Sequence, residues 1–254
     1  MIEARGLGKD FGAVRALDGL ELDVGEAEFF GFLGPNGAGK TTAVHIFATL
    51  LAPTRGSARI AGHDVVRESL AVRRSIGLVL QEPTLDRDLT VEENLRFAAR
   101  LWDLSGPFAA ARIDELLRQF GLSERRDSPV RSLSGGMRRA ADIARGVLHR
   151  PRVLFLDEPT AGLDPRARRT LWQFIRDLRA ASGMTVFLTT HYVDEAEPCD
   201  RVAVLDRGHL VAQGTPAELK RAAGAGSLEE VFLARTGRPL AVADAAAVPP
   251  GPER

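Results

Sequence analysis

The residues Gly34-Pro35-Asn36-Gly37-Ala38-Gly39-Lys40-Thr41-Thr42 are of types that together hold phosphate. Glycines let the backbone bend with its N–H groups turned inward, and a helix starting at the end of such a loop adds the positive end of its dipole. Lys40 has the reach for β- and γ-phosphates, and the Thr41 hydroxyl suits Mg²⁺. The chain has three lysines, Lys9, Lys40 and Lys220, so a lysine at this point of the loop is informative. An apolar run over 29–33 precedes the loop and a helix-like stretch over 42–51 follows it. That strand-loop-helix order is what a phosphate cradle needs and an ordinary glycine turn does not. The ligand class these parts suit is a nucleoside triphosphate.

Turnover of such a ligand needs carboxylates. Val153-Leu154-Phe155-Leu156-Asp157-Glu158 reads as a buried strand delivering two acids to its C-terminal end, where open α/β sheets bind ligands. Asp157 fits the role of holding Mg²⁺ through its water shell together with Thr41. Glu158 then keeps a carboxylate for orienting or deprotonating an attacking water. A second glycine turn, Leu133-Ser134-Gly135-Gly136-Met137, opens a helix expected over 138–148. Alone it would be a helix cap, but with it the chain carries two phosphate-suited helix starts beside one lysine and one carboxylate pair.

The elements that place these groups follow from pattern. Strand-like pieces over 21–24 and 28–33, separated by glycine turns, suggest a small β lobe leading into the loop. Further strands are expected at 58–61 and 76–80, with a short helix over 65–74 between them. Thr90 followed by Glu93 makes a capping box, and Leu95, Ala98, Ala99 and Leu101 keep helical spacing. Ile113, Leu116, Leu117 and Phe120 repeat that spacing until Gly121 stops it. Residues 82–133 thus read as a helical insertion, about 82–150 with the helix after the second glycine turn. Strand and helix then alternate at 153–156, 167–178, 185–188, 192–197 and 202–205, which implies a mostly parallel sheet with helices on both faces. From Gly224 the composition drifts, and after Gly237 it predicts a loose tail.

Composition narrows the function. Lys plus Arg and Asp plus Glu both total 34, which argues against the broad basic surface of a nucleic-acid binder. Arg166, Arg168 and Arg169 read as a solvated helix face. Cys199 is the sole cysteine, so no intrachain disulfide or zinc-cysteine cluster is expected, as in a reducing compartment. His45, His63, His149 and His209 show no metal-ligand spacing. The start lacks the apolar core of a signal peptide and no eighteen apolar residues run together, so the expectation is a cytoplasmic chain that reaches a membrane only through another protein.

The order of glycine loop, serine-glycine-glycine turn and carboxylate strand resembles the ATP-binding cassette (ABC) ATPases, over roughly residues 2–222. The fold this implies is α/β: a P-loop NTPase core with an N-terminal antiparallel β lobe and an inserted helical subdomain, the ATPase domain covering 1–222 and a partly disordered extension 223–254. By the same resemblance Gln81 is the glutamine that senses Mg²⁺ and the attacking water, and Ala161-Gly162-Leu163-Asp164 is the loop that crosses to a partner subunit. His191 is the switch histidine at the γ-phosphate, and Phe11 is the aromatic that stacks on adenine. The cofactors implied are ATP and Mg²⁺. A head-to-tail homodimer is implied as well, in which Ser134, Gly135 and Gly136 of one chain close over ATP held by Lys40 of the other, and hydrolysis with Glu158 as base releases the partners.

Met137 stands where the family usually has glutamine, Ala161 where it usually has serine, and Ala140 and Ala141 are smaller than in many relatives. Met137-Arg138-Arg139, His191-Tyr192-Val193-Asp194-Glu195-Ala196 and Leu228-Glu229-Glu230-Val231-Phe232-Leu233 resemble the daunorubicin-resistance type of drug and antibiotic exporter. That branch implies a separate integral-membrane permease received by 82–89 and the helical insertion, a place on the inner face of the cell membrane, and no nucleic-acid partner. Two alternatives stay open: the ATPase of an importer, although only about thirty residues follow the core, and a soluble ABC clamp on ribosomes or DNA, although the interval from Lys40 to Ser134 has no room for a long coiled coil.

Overall fold

The computed structural model describes residues 1–104 and 106–240. The chain divides into two compact units, one made of residues 1–75 and those from 185 onward, the other of 76–184.

The chain opens the first unit with β1 (Ile2–Phe11) and β2 (Val14–Val24), an antiparallel pair closed by Gly12 at φ 57°. In β2, buried Leu20, Leu22 and Val24 alternate with exposed neighbours, the period of a sheet with one face in the core. β3 (Phe29–Leu33) is buried at all five positions and leads to α1 (Lys40–Phe47). This helix is shorter than the 42–51 expected: Thr49 takes φ 62°, and the Leu50 and Leu51 N–H groups both turn back to His45 O. β4 (Arg55–Ile60) pairs antiparallel with β1 and with the short β5 (His63–Asp64), giving a lobe in the order β2-β1-β4-β5. The next helix, α2 (Ser69–Ser75), starts later than the expected residue 65, because the Asp64 carboxylate draws the Val66 and Arg67 N–H groups, each at 2.9 Å, into a separate turn.

The second unit begins with β6 (Ile76–Val79). Thr90 and Glu93 form the capping box of α3 (Val91–Leu101), and Gly121 at φ 64° follows α4 (Gly106–Gln119), so both stop and start signals act as the sequence suggests. α5 (Gly135–Gly146) starts at the glycines themselves, three residues ahead of the expected 138. β7 (Val153–Asp157) lies parallel to β6 and is buried throughout, and α6 (Pro165–Ser182) runs from an Asp164 cap to Gly183 at φ 64°.

The chain then returns to the first unit with β8 (Thr185–Thr190), the short α7 (Val193–Ala196), β9 (Arg201–Asp206) and β10 (His209–Gly214). β3 lies between β8 and β9, parallel to both, while β10 folds back antiparallel on β9. Phe30, Phe32 and Phe47 gather around Phe187 with ring centroids 5.4–5.7 Å apart, and each such side chain contributes about 1.5–3 kcal/mol by leaving water. α8 (Pro216–Ala223) carries its own capping box, Thr215 with Glu218. α9 (Leu228–Thr236), where the composition drifts, buries Leu228, Val231 and Phe232 at helical spacing, and Arg238 beyond it pairs with Asp206. The tail expected after Gly237 lies, from residue 241, outside the described residues.

Candidate nucleotide site

Each unit carries part of the residue set. In the first, Leu33 at the end of β3 is in register with Thr190 at the end of β8, and the Gly34 N–H donates to Thr190 O at 3.1 Å. The glycine loop and His191 therefore leave the sheet side by side. Gly39, the N-cap of α1, sits at φ 105°, and a Cβ there would come within 2.4 Å of Ala16 O; one on Gly34 would come within 2.5 Å of Leu205 O. Only glycine fits both positions, which is why the loop can wrap so tightly. No side chain caps α1, and its first turn holds no acid, so its dipole and leading N–H groups suit an anion.

Lys40 is 4% exposed, and its Nζ donates to Gly34 O at 2.8 Å and Pro35 O at 3.0 Å, folding the ammonium into the loop it is to serve. Thr41 is exposed at the helix start. The turn bearing His191 is pinned by Thr190, whose hydroxyl donates to Glu195 at 2.7 Å and accepts from the Tyr192 N–H at 2.9 Å. The rings of His191 and Tyr192 lie 4.0 Å apart. Phe11 is 49% exposed at the end of β1, so it is no core residue and has a ring face to offer. Its strand end is held firmly: Arg15 and Arg55 both bridge Asp10 and Asp18.

In the second unit, β7 ends at Asp157, 1% exposed, and Glu158, 7% exposed, follows at φ 46°. A glutamate in that left-handed region is strained and persists only because its surroundings hold it. Gln81 is exposed two residues past β6. Ser134 caps α5, its hydroxyl accepting from the Met137 N–H at 3.3 Å, and a Cβ on Gly136 would lie 2.8 Å from the Ala167 methyl. Asp164 already has a structural role, since one of its oxygens accepts from the Arg166 and Ala167 N–H groups at 2.9 and 3.0 Å. The Ala167 hydrogen bond foremost, with that of Arg166, keeps its carboxyl below the usual aspartate range.

The structure thus gathers Phe11, residues 34–42 and His191 in one unit, and Gln81, Ser134, Gly135, Gly136, Asp157, Glu158 and Asp164 in the other. Sequence reasoning named Arg139 only within the subfamily stretch and missed its role: it is 3% exposed on α5 and spends its guanidinium on the carbonyls of Leu80, Gln81, Asp157, Glu158 and Pro159. The one signal available was an arginine on the face of α5 that also carries Ala140, Ile143 and Ala144 into the core. Burial works against its positive charge, while Asp142 and Asp157 support it. Among the described residues no group of three or more His, Cys, Asp or Glu side chains forms a metal cluster, and no helix is long and apolar enough to cross a membrane.

Comparison with known proteins identifies the family. Residues 17–161 match the family described as ABC transporter. The chain is 47% identical over 238 residues to the daunorubicin resistance ATP-binding protein DrrA3 of Streptomyces coeruleorubidus, covering 93% of this chain and 75% of that one. It is 42% identical over 220 residues to the Nod factor export ATP-binding protein I of Ralstonia nicotianae, covering 86% of this chain and 68% of that one. Among solved structures, the ATP-binding cassette MJ0796, a dimer in a post-hydrolysis state bound to ADP and Pi, is 28% identical, with a TM-score of 0.75 over 85% of this chain and 98% of its own. With the glycine loop, the carboxylate strand and the serine-glycine-glycine helix start all in place, the chain belongs to the ABC transporter family.

Proposed function

We propose that this chain is the ATP-hydrolysing subunit of an exporter for a drug, antibiotic or lipid-like compound, working as a nucleotide-sandwich homodimer on a separate membrane permease. The observation that carries the reading is the cradle at 34–42, whose Gly34 and Gly39 admit no side chain and whose helix start has no side-chain cap. Lys40 and the α1 dipole hold the β- and γ-phosphates, Phe11 stacks on adenine, and the Ser134–Gly136 turn of the partner closes over the same nucleotide. The Thr41 hydroxyl, the Asp157 carboxylate and the Gln81 amide are hard oxygen donors, the set Mg²⁺ takes alongside substrate phosphates. When bound, Mg²⁺ neutralises charge on the phosphoryl oxygens. Glu158 takes the proton of the attacking water, and His191 positions the γ-phosphate end.

Resistance and export in the names of the relatives support the outward direction. Phe97 and Leu101 on α3 and Phe108 on α4, each more than half exposed, support a permease-facing surface, together with residues 82–84 and 86–88, the exposed part of the stretch 82–89. Through that permease the subunit would sit on the inner face of the membrane. The test is extraction of a tagged copy from native membranes in mild detergent. A stoichiometric polytopic partner, with phosphate release slowed more than about a hundredfold by Glu158→Gln while ATP still binds, is the expected result. Recovery with ribosomes or nucleic acid alone, or brisk hydrolysis by the variant, would overturn the reading.

A further inference from the structure

Arg139 has five N–H donors, and its three nitrogens all donate to backbone carbonyls of two segments. Its Nη1 meets Leu80 O and, at 3.5 Å, Gln81 O, in the segment after β6. On the other segment, its Nη2 meets Asp157 O at 3.1 Å and Glu158 O at 3.3 Å, and its Nε meets Pro159 O at 2.7 Å, in the turn after β7. One rigid planar group thus spans the peptide that carries Gln81 and the strained turn that carries Glu158.

The guanidinium is itself held. Asp142, one turn further along α5 and fully buried, places Oδ2 3.7 Å from Arg139 Nη1. Its other oxygen accepts from the Thr84 hydroxyl at 3.1 Å and from Arg145 at 3.1 and 3.3 Å, and Arg145 donates to Thr84 as well. The segment after β6 is therefore clamped at both its ends, at Leu80–Gln81 by Arg139 and at Thr84 by Asp142 and Arg145. A lysine at 139 would offer a point charge with three donors and could not span the five carbonyls.

We propose that Arg139 is a positioning residue for ATP hydrolysis, locking the Gln81 segment and the Glu158 turn into one frame, with Asp142 holding Arg139 and Thr84 in place. The proposal rests on the ATPase reading above. It assigns to α5, whose glycine end serves the partner's nucleotide, a second role inside its own chain. A helix that touches one ATP at its start and holds the hydrolytic carboxylate of its own chain at its second turn joins the two active sites of the dimer.

The test uses the full chain and Mg²⁺-ATP, comparing wild type with Arg139→Met, Arg139→Lys and Asp142→Asn in steady-state phosphate release, fluorescent-nucleotide binding and thermal melting. For Arg139→Met the expected kcat loss is about thirtyfold or more, with KM and nucleotide affinity within about twofold, since a misplaced catalytic group costs rate rather than binding. Arg139→Lys and Asp142→Asn, which keep charge or shape, should lose about three- to tenfold in kcat alone. If Arg139→Met does not fold, those two variants decide. Unchanged kcat in the folded variants, or a kcat loss matched by equal loss of nucleotide affinity, overturns the positioning role. Absence of ATPase activity in the wild type would overturn the parent reading instead, so the two failures are distinct.

Discussion

α1 starts just past Gly39 and α5 at Gly135, each after a turn suited to anions, and the structure finishes the two ends differently. The cap of α1 is Gly39 at φ 105°, which has no side chain to make a cap hydrogen bond. The cap of α5 is Ser134, whose hydroxyl already takes the Met137 N–H at 3.3 Å. An end left uncapped by side chains is shaped for a ligand before the ligand arrives, whereas an end capped by its own serine is satisfied in the single chain and turns to a ligand only when one is presented. The difference fits the order of events that the proposed function requires, in which α1 takes ATP first and α5 of a second chain closes on it afterwards.

Substitutions can break this contrast or sharpen it. The largest effect is expected from Gly39→Val, which combines a left-handed φ with a clash against Ala16 O; nucleotide affinity should fall about a hundredfold or more in a fluorescent-ATP titration. Phe11→Ala should lower affinity about five- to tenfold by removing one stacking face, and it should leave the melting temperature alone because the ring is half exposed.

Ser134→Ala should leave ATP binding by the single chain unchanged while removing a helix cap worth about 1 kcal/mol, seen as a drop of about 2–4 °C in melting temperature. ATP-driven self-association, followed by light scattering, should weaken in the same variant. If instead Ser134→Ala impaired nucleotide binding by the monomer, the two helix starts would not differ in the way described.

The smallest effect concerns pH. His149 donates through Nε2 to Ile76 O at 2.8 Å and stacks 3.8 Å from Trp102, and desolvation foremost holds its pKa below the ordinary 6.5. In the folded chain the ring resists protonation, so its contribution to stability is complete above pH 6.5 and is lost as pH falls from there through the lower folded value. Melting temperature should decline across that acid window, and His149→Gln should flatten that part of the decline while lowering stability at about pH 7.5.

How much of this was legible depends on where the information sits. The cradle could be read because Gly34 and Gly39 occupy backbone positions that no other residue fits, so the conformation is written in residue types. The Thr90–Glu93 box and the Gly121 stop are local in the same way. The role of Arg139 was not legible, since its partners are carbonyls that every residue has, brought from positions 58 and 59 residues upstream and 18 to 20 residues downstream.

The early end of α1 turned on the left-handed turn at Thr49, within an apolar run that otherwise looked helical. In α9, composition drift hid Leu228, Val231 and Phe232, three apolar side chains whose spacing places them on one buried face. β10 and α8 were passed over, although the Thr215–Glu218 capping box is as plain as the one at Thr90.

The most direct test of the central claim, that ATP held at the α1 start of one chain is closed on by the α5 start of another, is a complementation experiment by sedimentation velocity. One variant carries Lys40→Ala, the other Ser134→Arg, and both carry Glu158→Gln to stop turnover. Each alone with ATP should remain monomeric, whereas the mixture should form a heterodimer through its single intact composite site. A mixture that stays monomeric while the Glu158→Gln chain dimerises, or either variant dimerising alone as well as that chain does, would contradict it.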